Sequence, residues 1–157
     1  MRHAKAEQAT LGFADFEREL TSVGFQEAIH VGQILAKKNL KIDAIICSAA
    51  LRTLQTANLV AEQLGFDTQK IIQTKEIYEA SPRIVLQYIN GQLNSDWQNV
   101  LMVGHNPTFS YLPEMLTHAD IGDLPTAAVV AMAFTEKDWA MLSQNTAQLL
   151  WKEFGNQ

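Results

Sequence analysis

The sequence predicts an α/β fold, a three-layer sandwich in which a mainly parallel central sheet carries helices on both faces. Two observations predict it. The runs DAIICS (43–48) and NVLMVGH (99–105) are short and mostly apolar, which is typical of strands buried on both faces. Segments with helical spacing of apolar residues separate such runs, and strand–helix–strand order favours parallel pairing. The 157 residues, 47% of them hydrophobic, suffice for one domain spanning residues 1–157.

Local signals set the ends of the elements. Thr21 is a suitable N-cap for the first helix, and Gly65 is a suitable stop for the second. Ser81 followed by Pro82 is a typical helix start, whereas Pro113 weakens the fourth helix. The expected elements are helix 21–38, strand 43–48, helix 51–64, strand 70–74, helix 82–89, strand 99–105, helix 108–116 and two late strands, 127–134 and 148–153, that pair with each other.

The charge and cysteine content exclude several classes of protein. The net charge is −5 and no basic block occurs, which argues against nucleic acid as a partner but allows a small phosphorylated ligand. Cys47 is the single cysteine, so a disulfide framework and a multi-cysteine metal site are excluded. No apolar run is long enough for a membrane span and no secretory leader is recognisable, so we expect no membrane partner and a cytoplasmic setting.

Two polar segments follow two of the apolar strands. SAALR (48–52) comes after the strand at 43–48, and GHNP (104–107) comes after the next apolar strand. Ligands of parallel α/β sheets bind at the carboxyl ends of strands. We therefore expect Arg52 and His105 to lie on one rim of the sheet.

The residue types on this rim, together with the pair Arg2–His3, point to phosphoryl chemistry. Arginine binds tetrahedral oxyanions through forked hydrogen bonds, and neutral histidine is a nucleophile towards phosphorus. Phosphoryl transfer needs positioning and charge neutralisation above all. Arg52 would oppose the dipole of the helix that it begins unless an anion lies between them. The combination suits a phosphoenzyme mechanism without a metal or another cofactor.

Three motifs resemble the histidine phosphatase superfamily: RHAKAE (2–7), CSAALRTLQTA (47–57) and LMVGHNP (101–107). The match is closest to the small SixA-like phosphohistidine phosphatases, whose fold is phosphoglycerate mutase-like. FERELTSVGFQEA, IYEASP and LPTAAVVAMAF are similar to further family segments, so the resemblance covers nearly the whole chain. Each motif alone is weak, but their order and their places at strand ends make the combination specific.

The resemblance implies a role for each rim residue. His3 would attack phosphorus and become phosphohistidine, Arg2 and Arg52 would clamp the phosphoryl oxygens, and His105 would donate to them. Water would then hydrolyse the phosphoenzyme. The remaining candidates are Ser48 and Asn106 as further phosphate ligands, and Glu76 and Glu79, which lie roughly where relatives carry a general acid.

The chain departs from the family pattern at its start. Relatives have an apolar strand before the Arg–His pair, whereas only Met1 precedes Arg2 here. Loss of a central strand would leave two ladders unpaired and an apolar slot open. We therefore expect the first strand of the domain to be missing or truncated. Glu19 stands where relatives often have proline, which affects only a surface segment.

Several functions remain open on the sequence. Short connections predict a shallow site, which favours a phosphorylated histidine on a protein as substrate. The alternatives are a small-molecule phosphomonoesterase with the same mechanism and a non-catalytic phosphate-binding module. Among the remaining polar side chains, Cys47 is expected to be buried and unreactive. Asp15, Glu17 and Glu19 are expected to form a solvated face, with a place beside the pocket mouth as the alternative.

Overall fold

The computed structural model describes residues 1–12 and 14–155. Its helices and strands follow the predicted order. They are α1 (Ser22–Lys37), β1 (Ala44–Ser48), α2 (Leu51–Leu64), β2 (Ile72–Thr74), α3 (Pro82–Gln92), β3 (Val100–Val103), α4 (Thr108–Thr117), β4 (Val129–Phe134) and β5 (Ala147–Glu153).

The parallel sheet has the strand order β2-β1-β3. All five residues of β1 are buried, as expected for a central strand covered on both faces. Helices α1 and α2 pack on the face that carries Ile45 and Val103. Helices α3 and α4 pack on the opposite face, against Ile46 and Met102. The predicted α/β sandwich with helices on both faces of a parallel sheet is therefore confirmed.

The predicted helix ends are confirmed where a side chain or a glycine determines them. The Thr21 hydroxyl accepts a hydrogen bond from Gly24 N–H at 3.0 Å, and Gly65 ends α2 with a φ of 67°. Helix α3 runs three residues beyond the predicted end, to Gln92. Strand β2 begins two residues later than predicted, because residues 68–70 form a 3₁₀ turn capped by the Asp67 side chain.

The two late strands form a separate sheet. β4 and β5 pair with each other, as predicted; the structure shows that the pairing is antiparallel, with an irregularity between Ala131 and Met132. The described residues thus form a three-stranded sheet and a two-stranded sheet, and the first residues of the chain bond to the ends of both.

The first residues extend the parallel sheet at the end of β3. The Met1 amino group donates to the Met102 carbonyl at 2.9 Å. Gly104 N–H then donates to the Met1 carbonyl, and His3 N–H donates to the Gly104 carbonyl, each at 3.0 Å. These bonds are successive rungs of a parallel ladder. They place His3 at the carboxyl edge of the sheet.

The other side of this segment is bonded to the residues before β4. Arg2 N–H donates to the Ala128 carbonyl at 3.0 Å, and Ala127 N–H donates to the His3 carbonyl at 3.1 Å. Arg2 and His3 are therefore fixed from both sides by backbone hydrogen bonds, and a terminal dipeptide becomes part of the sheet.

Beyond this contact β3 and β4 stand apart. An apolar cavity of about 240 Å³ lies between them, lined by Leu101 and Met102 on one side and by Val130 and Met132 on the other. The Met1 amino group lies at its end, where burial lowers the pKa of this amine to about 5. Met1 is the residue of the first segment that lines this cavity.

No helix within residues 1–12 and 14–155 is both long enough and apolar enough to cross a bilayer. Cys47 is fully buried in β1, and burial raises the pKa of its thiol to about 12. The thiol is therefore protonated at neutral pH, in agreement with the prediction of an unreactive core cysteine.

Candidate active site

The rim of the parallel sheet brings the predicted residues together. Arg2 and His3 arrive on the first segment, Arg52 on the first turn of α2 and His105 directly after β3. All four line one cleft of about 380 Å³. The rings of His3 and His105 meet edge to face, with centroids 5.4 Å apart. The expectation that these side chains share a rim is borne out by their positions.

One hydrogen bond determines which nitrogen of His3 carries the proton. Nδ1 lies 2.7 Å from the carbonyl oxygen of Ala4, which can only accept. Nδ1 is therefore the protonated nitrogen of the neutral ring, and Nε2 carries the lone pair. The Ala4 N–H is itself bonded to the Thr56 hydroxyl at 3.0 Å, which holds this part of the chain against α2.

Burial keeps both histidines neutral. It lowers the pKa of His3 to about 4, and the charges of Arg52 and Arg2 act in the same direction. It lowers the pKa of His105 to about 3, again with help from Arg52. At neutral pH the cleft therefore holds two uncharged imidazoles, and His3 has the protonation state that nucleophilic attack requires.

A direct test of this state is a nitrogen NMR titration of His3. We expect His3 to stay neutral, as the Nδ1–H tautomer, from pH 7.5 down to pH 5, because its depressed pKa of about 4 places protonation at lower pH. In urea the same ring should titrate near the ordinary value of about 6.5. A midpoint near 6.5 in the folded protein would contradict the burial argument.

Arg52 is buried and Arg2 is half-buried, and the guanidinium group of each carries a hydrogen-bond donor without a partner among the described residues. Arg2 Nη1 donates to the Leu124 carbonyl at 2.6 Å, and Arg52 Nη1 donates to the Asp15 carbonyl at 2.7 Å. The Nε atoms of both arginines are buried without a hydrogen-bond partner in the described part of the chain. Buried donors without partners are costly, so a ligand with acceptor oxygens would stabilise them.

His105 is oriented by its neighbours on both sides. Its Nδ1 lies 3.3 Å from Arg52 Nη2, which can only donate, so Nδ1 is the acceptor of the neutral ring. Its Nε2 then carries the proton and donates to the Ser48 hydroxyl at 2.8 Å. Ser48 is fully buried at the end of β1 and contacts His105.

Asn106 is held by the loop before β4. Its side-chain amide donates to Asp123 Oδ1 at 2.8 Å and to the Leu124 carbonyl at 3.0 Å, and its oxygen accepts from the Ser110 hydroxyl at 3.0 Å. Both amide hydrogens are therefore engaged. Asn106 lines the cleft, yet its side chain organises the loop that also accepts the Arg2 guanidinium.

The two glutamates considered as acids lie in different places. Glu79 is exposed, has a φ of 52° and lines the cleft at its mouth. Glu76 is exposed and is absent from the cleft lining.

The structure adds cleft residues that the sequence analysis did not select as site residues. Asp15, Arg18 and Tyr78 line the same cleft. The interpretation of Asp15 as part of a solvated face is wrong, because its carboxylate accepts hydrogen bonds from Arg52 and Tyr78; the alternative place beside the mouth is the correct one. Glu17 and Glu19 are exposed, as expected. Asp15 directly precedes the FERELT segment and Arg18 lies within it, three residues later; this pair is the sequence signal that could have revealed the contact.

Within the described residues, no cluster of three or more histidine, cysteine, aspartate or glutamate side chains is arranged to hold a metal ion. Guanidinium charges lie beside both histidines: in addition to burial, Arg52 and Arg2 lower the pKa of His3, and Arg52 lowers that of His105. Neutral imidazoles beside guanidinium groups, at the carboxyl edge of a parallel sheet, suit the binding of a phosphoryl group.

Comparison with known proteins identifies the family. Residues 1–82 match the model of the histidine phosphatase superfamily, branch 1, and the chain belongs to this superfamily. An uncharacterized protein of Mycobacterium tuberculosis, Rv1276c, is 32% identical over 142 residues, which cover 90% of this chain and 85% of that protein.

Solved structures show the same fold. A protein of Agrobacterium tumefaciens assigned as the phosphohistidine phosphatase SixA is 29% identical, with a TM-score of 0.79, and the match covers 97% of this chain and 93% of that one. The protein histidine phosphatase SixA complexed with tungstate is 22% identical, with a TM-score of 0.83, covering 99% and 94% of the two chains. The second likeness concerns the fold alone. The chain is SixA-like and its fold is phosphoglycerate mutase-like, as the sequence motifs indicate.

Proposed function

We propose that this chain is a phosphatase that removes the phosphoryl group from a phosphohistidine on a protein, through a covalent phosphohistidine on His3. The observation that carries the proposal is the state of His3. Its Nδ1–H donates to the Ala4 carbonyl, and its pKa is lowered to about 4, so Nε2 carries a lone pair at neutral pH. The ring lines the same cleft as Arg2 and Arg52.

The reaction has two steps. In the first, His3 Nε2 forms a bond to phosphorus while the phosphorus–nitrogen bond to the substrate imidazole breaks. The substrate ring, already protonated on its other nitrogen, takes the electron pair of that bond and departs as neutral imidazole. In the second, a water oxygen bonds to phosphorus, the phosphorus–Nε2 bond breaks, and inorganic phosphate leaves with neutral His3 restored. The guanidinium charges of Arg2 and Arg52 match the two negative charges of the phosphoryl group.

His105 has a second role in this scheme. In the structure its Nδ1 is an acceptor beside Arg52. A phosphoryl dianion beside the ring favours the imidazolium and raises the pKa of His105, which then donates to a phosphoryl oxygen. We propose no metal requirement, because two arginines supply the charge that a divalent ion would otherwise supply.

Two observations support a phosphorylated histidine as substrate. The A. tumefaciens relative is assigned as a phosphohistidine phosphatase. An imidazole leaving group needs less acid assistance than an alkoxide, and Glu76 lies outside the cleft lining.

We place the reaction in the cytoplasm, which the single, buried Cys47 supports.

The test compares substrates in the presence of EDTA. We expect kcat/KM for a phosphohistidine peptide to exceed that for sugar and nucleotide phosphates by at least about tenfold, with no loss on chelation. A phosphoserine peptide of the same sequence is the matched control for peptide binding. Preference for a small ester would point to the small-molecule phosphomonoesterase. Phosphate binding without any turnover would point to the binding module.

A further inference from the structure

The guanidinium of Arg52 is held at two points by a single residue. Arg52 Nη1 donates to the backbone carbonyl of Asp15 at 2.7 Å, and Nη2 donates to carboxylate Oδ2 of the same residue at 3.0 Å. The Arg52 side chain is only 5% exposed, so these bonds form in a poorly solvated environment. We propose that Asp15 is a positioning residue, which fixes the plane of the Arg52 guanidinium for phosphoryl transfer; this inference rests on the proposed function.

Asp15 is itself held in place. The Tyr78 hydroxyl donates to Oδ2 at 2.8 Å, and Arg18 Nε lies 2.9 Å from Oδ1. The Tyr78 ring packs edge to face on Phe16 on one side and on His105 on the other, with centroids 5.2 and 5.5 Å apart. The same carboxylate therefore links the orientation of Arg52 to a tyrosine that contacts His105.

The protonation states suit this arrangement. Partial burial opposes ionisation of Asp15, but the hydrogen bond from Tyr78 and the charge of Arg52 hold the pKa of this carboxyl below its usual value. Burial and the bond to Asp15 raise the pKa of Tyr78. At neutral pH Asp15 is a carboxylate and Tyr78 is a protonated donor, so each bond has its donor and its acceptor.

Fixing the plane of the Arg52 guanidinium leaves N–H groups of defined direction as donors for the substrate. A guanidinium has five N–H groups. Two of them go to Asp15 and a third points to His105 Nδ1, while Nε–H is buried without a partner among the described residues. Because a guanidinium is planar, anchoring both Nη atoms fixes the direction of the remaining N–H groups. Asp15 thus acts on the reaction through Arg52.

The test is a double-mutant cycle with an aryl phosphate as substrate and calorimetric tungstate binding as a second readout. We expect Asp15→Ala to lower kcat/KM and tungstate affinity by roughly tenfold or more, and Asp15→Asn, which keeps an acceptor oxygen, to restore most of the loss. Arg52→Ala should cost about 10²–10³-fold. In the Arg52→Ala background, adding Asp15→Ala should cost less than about twofold, because the group that Asp15 positions is gone.

The controls separate positioning from folding. Glu17→Ala changes an exposed acidic residue on the same 3₁₀ turn and should leave activity unchanged. The Asp15 and Glu17 variants should melt close to the wild type, since the Asp15 side chain is 42% exposed and Glu17 is exposed. Comparing the double variant with Arg52→Ala alone cancels any loss of stability caused by removing the buried Arg52 side chain. An equal loss from Asp15→Ala with and without Arg52 would overturn the proposal, as would wild-type activity in Asp15→Ala. If the wild type turns over no substrate, the proposed function fails, and the same cycle in tungstate affinity still decides the role of Asp15.

Discussion

Replacing His3 with asparagine is expected to reduce hydrolysis of a phosphohistidine peptide by at least about a thousandfold. Asparagine retains an amide N–H that can donate to the Ala4 carbonyl, as Nδ1 of His3 does at 2.7 Å. It lacks the Nε2 lone pair that the proposed mechanism requires. The loss should therefore appear in turnover, while the fold and the backbone bonds of His3 to Gly104 and Ala127 persist.

The measurement combines kinetics with trapping of the intermediate. In the wild type, rapid quenching should trap a phosphoryl group on His3 that is labile to acid and stable to alkali, as expected for a phosphorus–nitrogen bond. His30→Ala is the matched control, since His30 is an exposed histidine of α1 outside the cleft. A trapped phosphoryl group on His105 instead of His3 would refute His3 as the nucleophile. More than a tenth of the wild-type rate in His3→Asn would refute it as well.

Adding about five apolar, β-branched residues ahead of Met1 is expected to raise the melting temperature by roughly 10 °C. Met1 lines the apolar cavity between β3 and β4, and its amino group donates to the Met102 carbonyl at 2.9 Å. In a parallel strand, alternate residues turn their backbone groups to the same neighbour. Gly104 and the Met102 carbonyl already bond to the first segment. The next backbone groups of β3 that turn to this side are the Met102 N–H and the Val100 carbonyl, and residues added ahead of Met1 would bond to them.

The size of the effect follows from opposing contributions. Each buried aliphatic side chain contributes about 1.5–3 kcal/mol, and each newly ordered residue costs about 1–2 kcal/mol of backbone entropy, with a smaller side-chain cost. Further hydrogen bonds and removal of the buried amine add to the gain. A net gain of about 3 kcal/mol corresponds to roughly 6–12 °C for a chain of this size.

A glycine–serine extension of the same length is the matched control, because it also replaces the buried amine by an amide but fills no apolar volume. Slower hydrogen exchange of the Met102 N–H in the apolar variant would show that the added residues pair with β3. Equal melting temperatures for the two extensions would contradict the prediction.

Much of the site was predictable because its parts are tied to local signals. Arg52 begins a helix directly after a buried strand, and His105 follows another such strand, so the rim rule for parallel sheets brings them together. Thr21 and Gly65 fixed helix ends through bonds to their near neighbours in the chain. Motif order then pointed to the family that residues 1–82 match.

The tertiary structure alone decided the fine electrostatics of the cleft. The Asp15 carboxylate accepts hydrogen bonds from Arg52, 37 residues away in the chain, and from Tyr78, 63 residues away. The residue pattern around Asp15 does not predict such contacts. The tautomer of His105 depends on Arg52 and Ser48, which are distant from it in the chain. Asn106, a candidate phosphate ligand, lines the cleft, and the bonds of its amide to a loop 17 and 18 positions away could not be predicted from the sequence.

The sequence by itself determined the layers of the sandwich, the order of its elements and the residue types on the rim, because apolar periodicity, caps and strand–helix alternation are properties of short segments. Only the tertiary structure decided how β4 and β5 sit apart from the parallel sheet, with the first residues and an apolar cavity between them. It also decided which donors of the cleft arginines are engaged and which are unpartnered. The reason is physical: hydrogen-bond partners and burial depend on which segments meet in space, and these determine pKa values, tautomers and the direction of each N–H group.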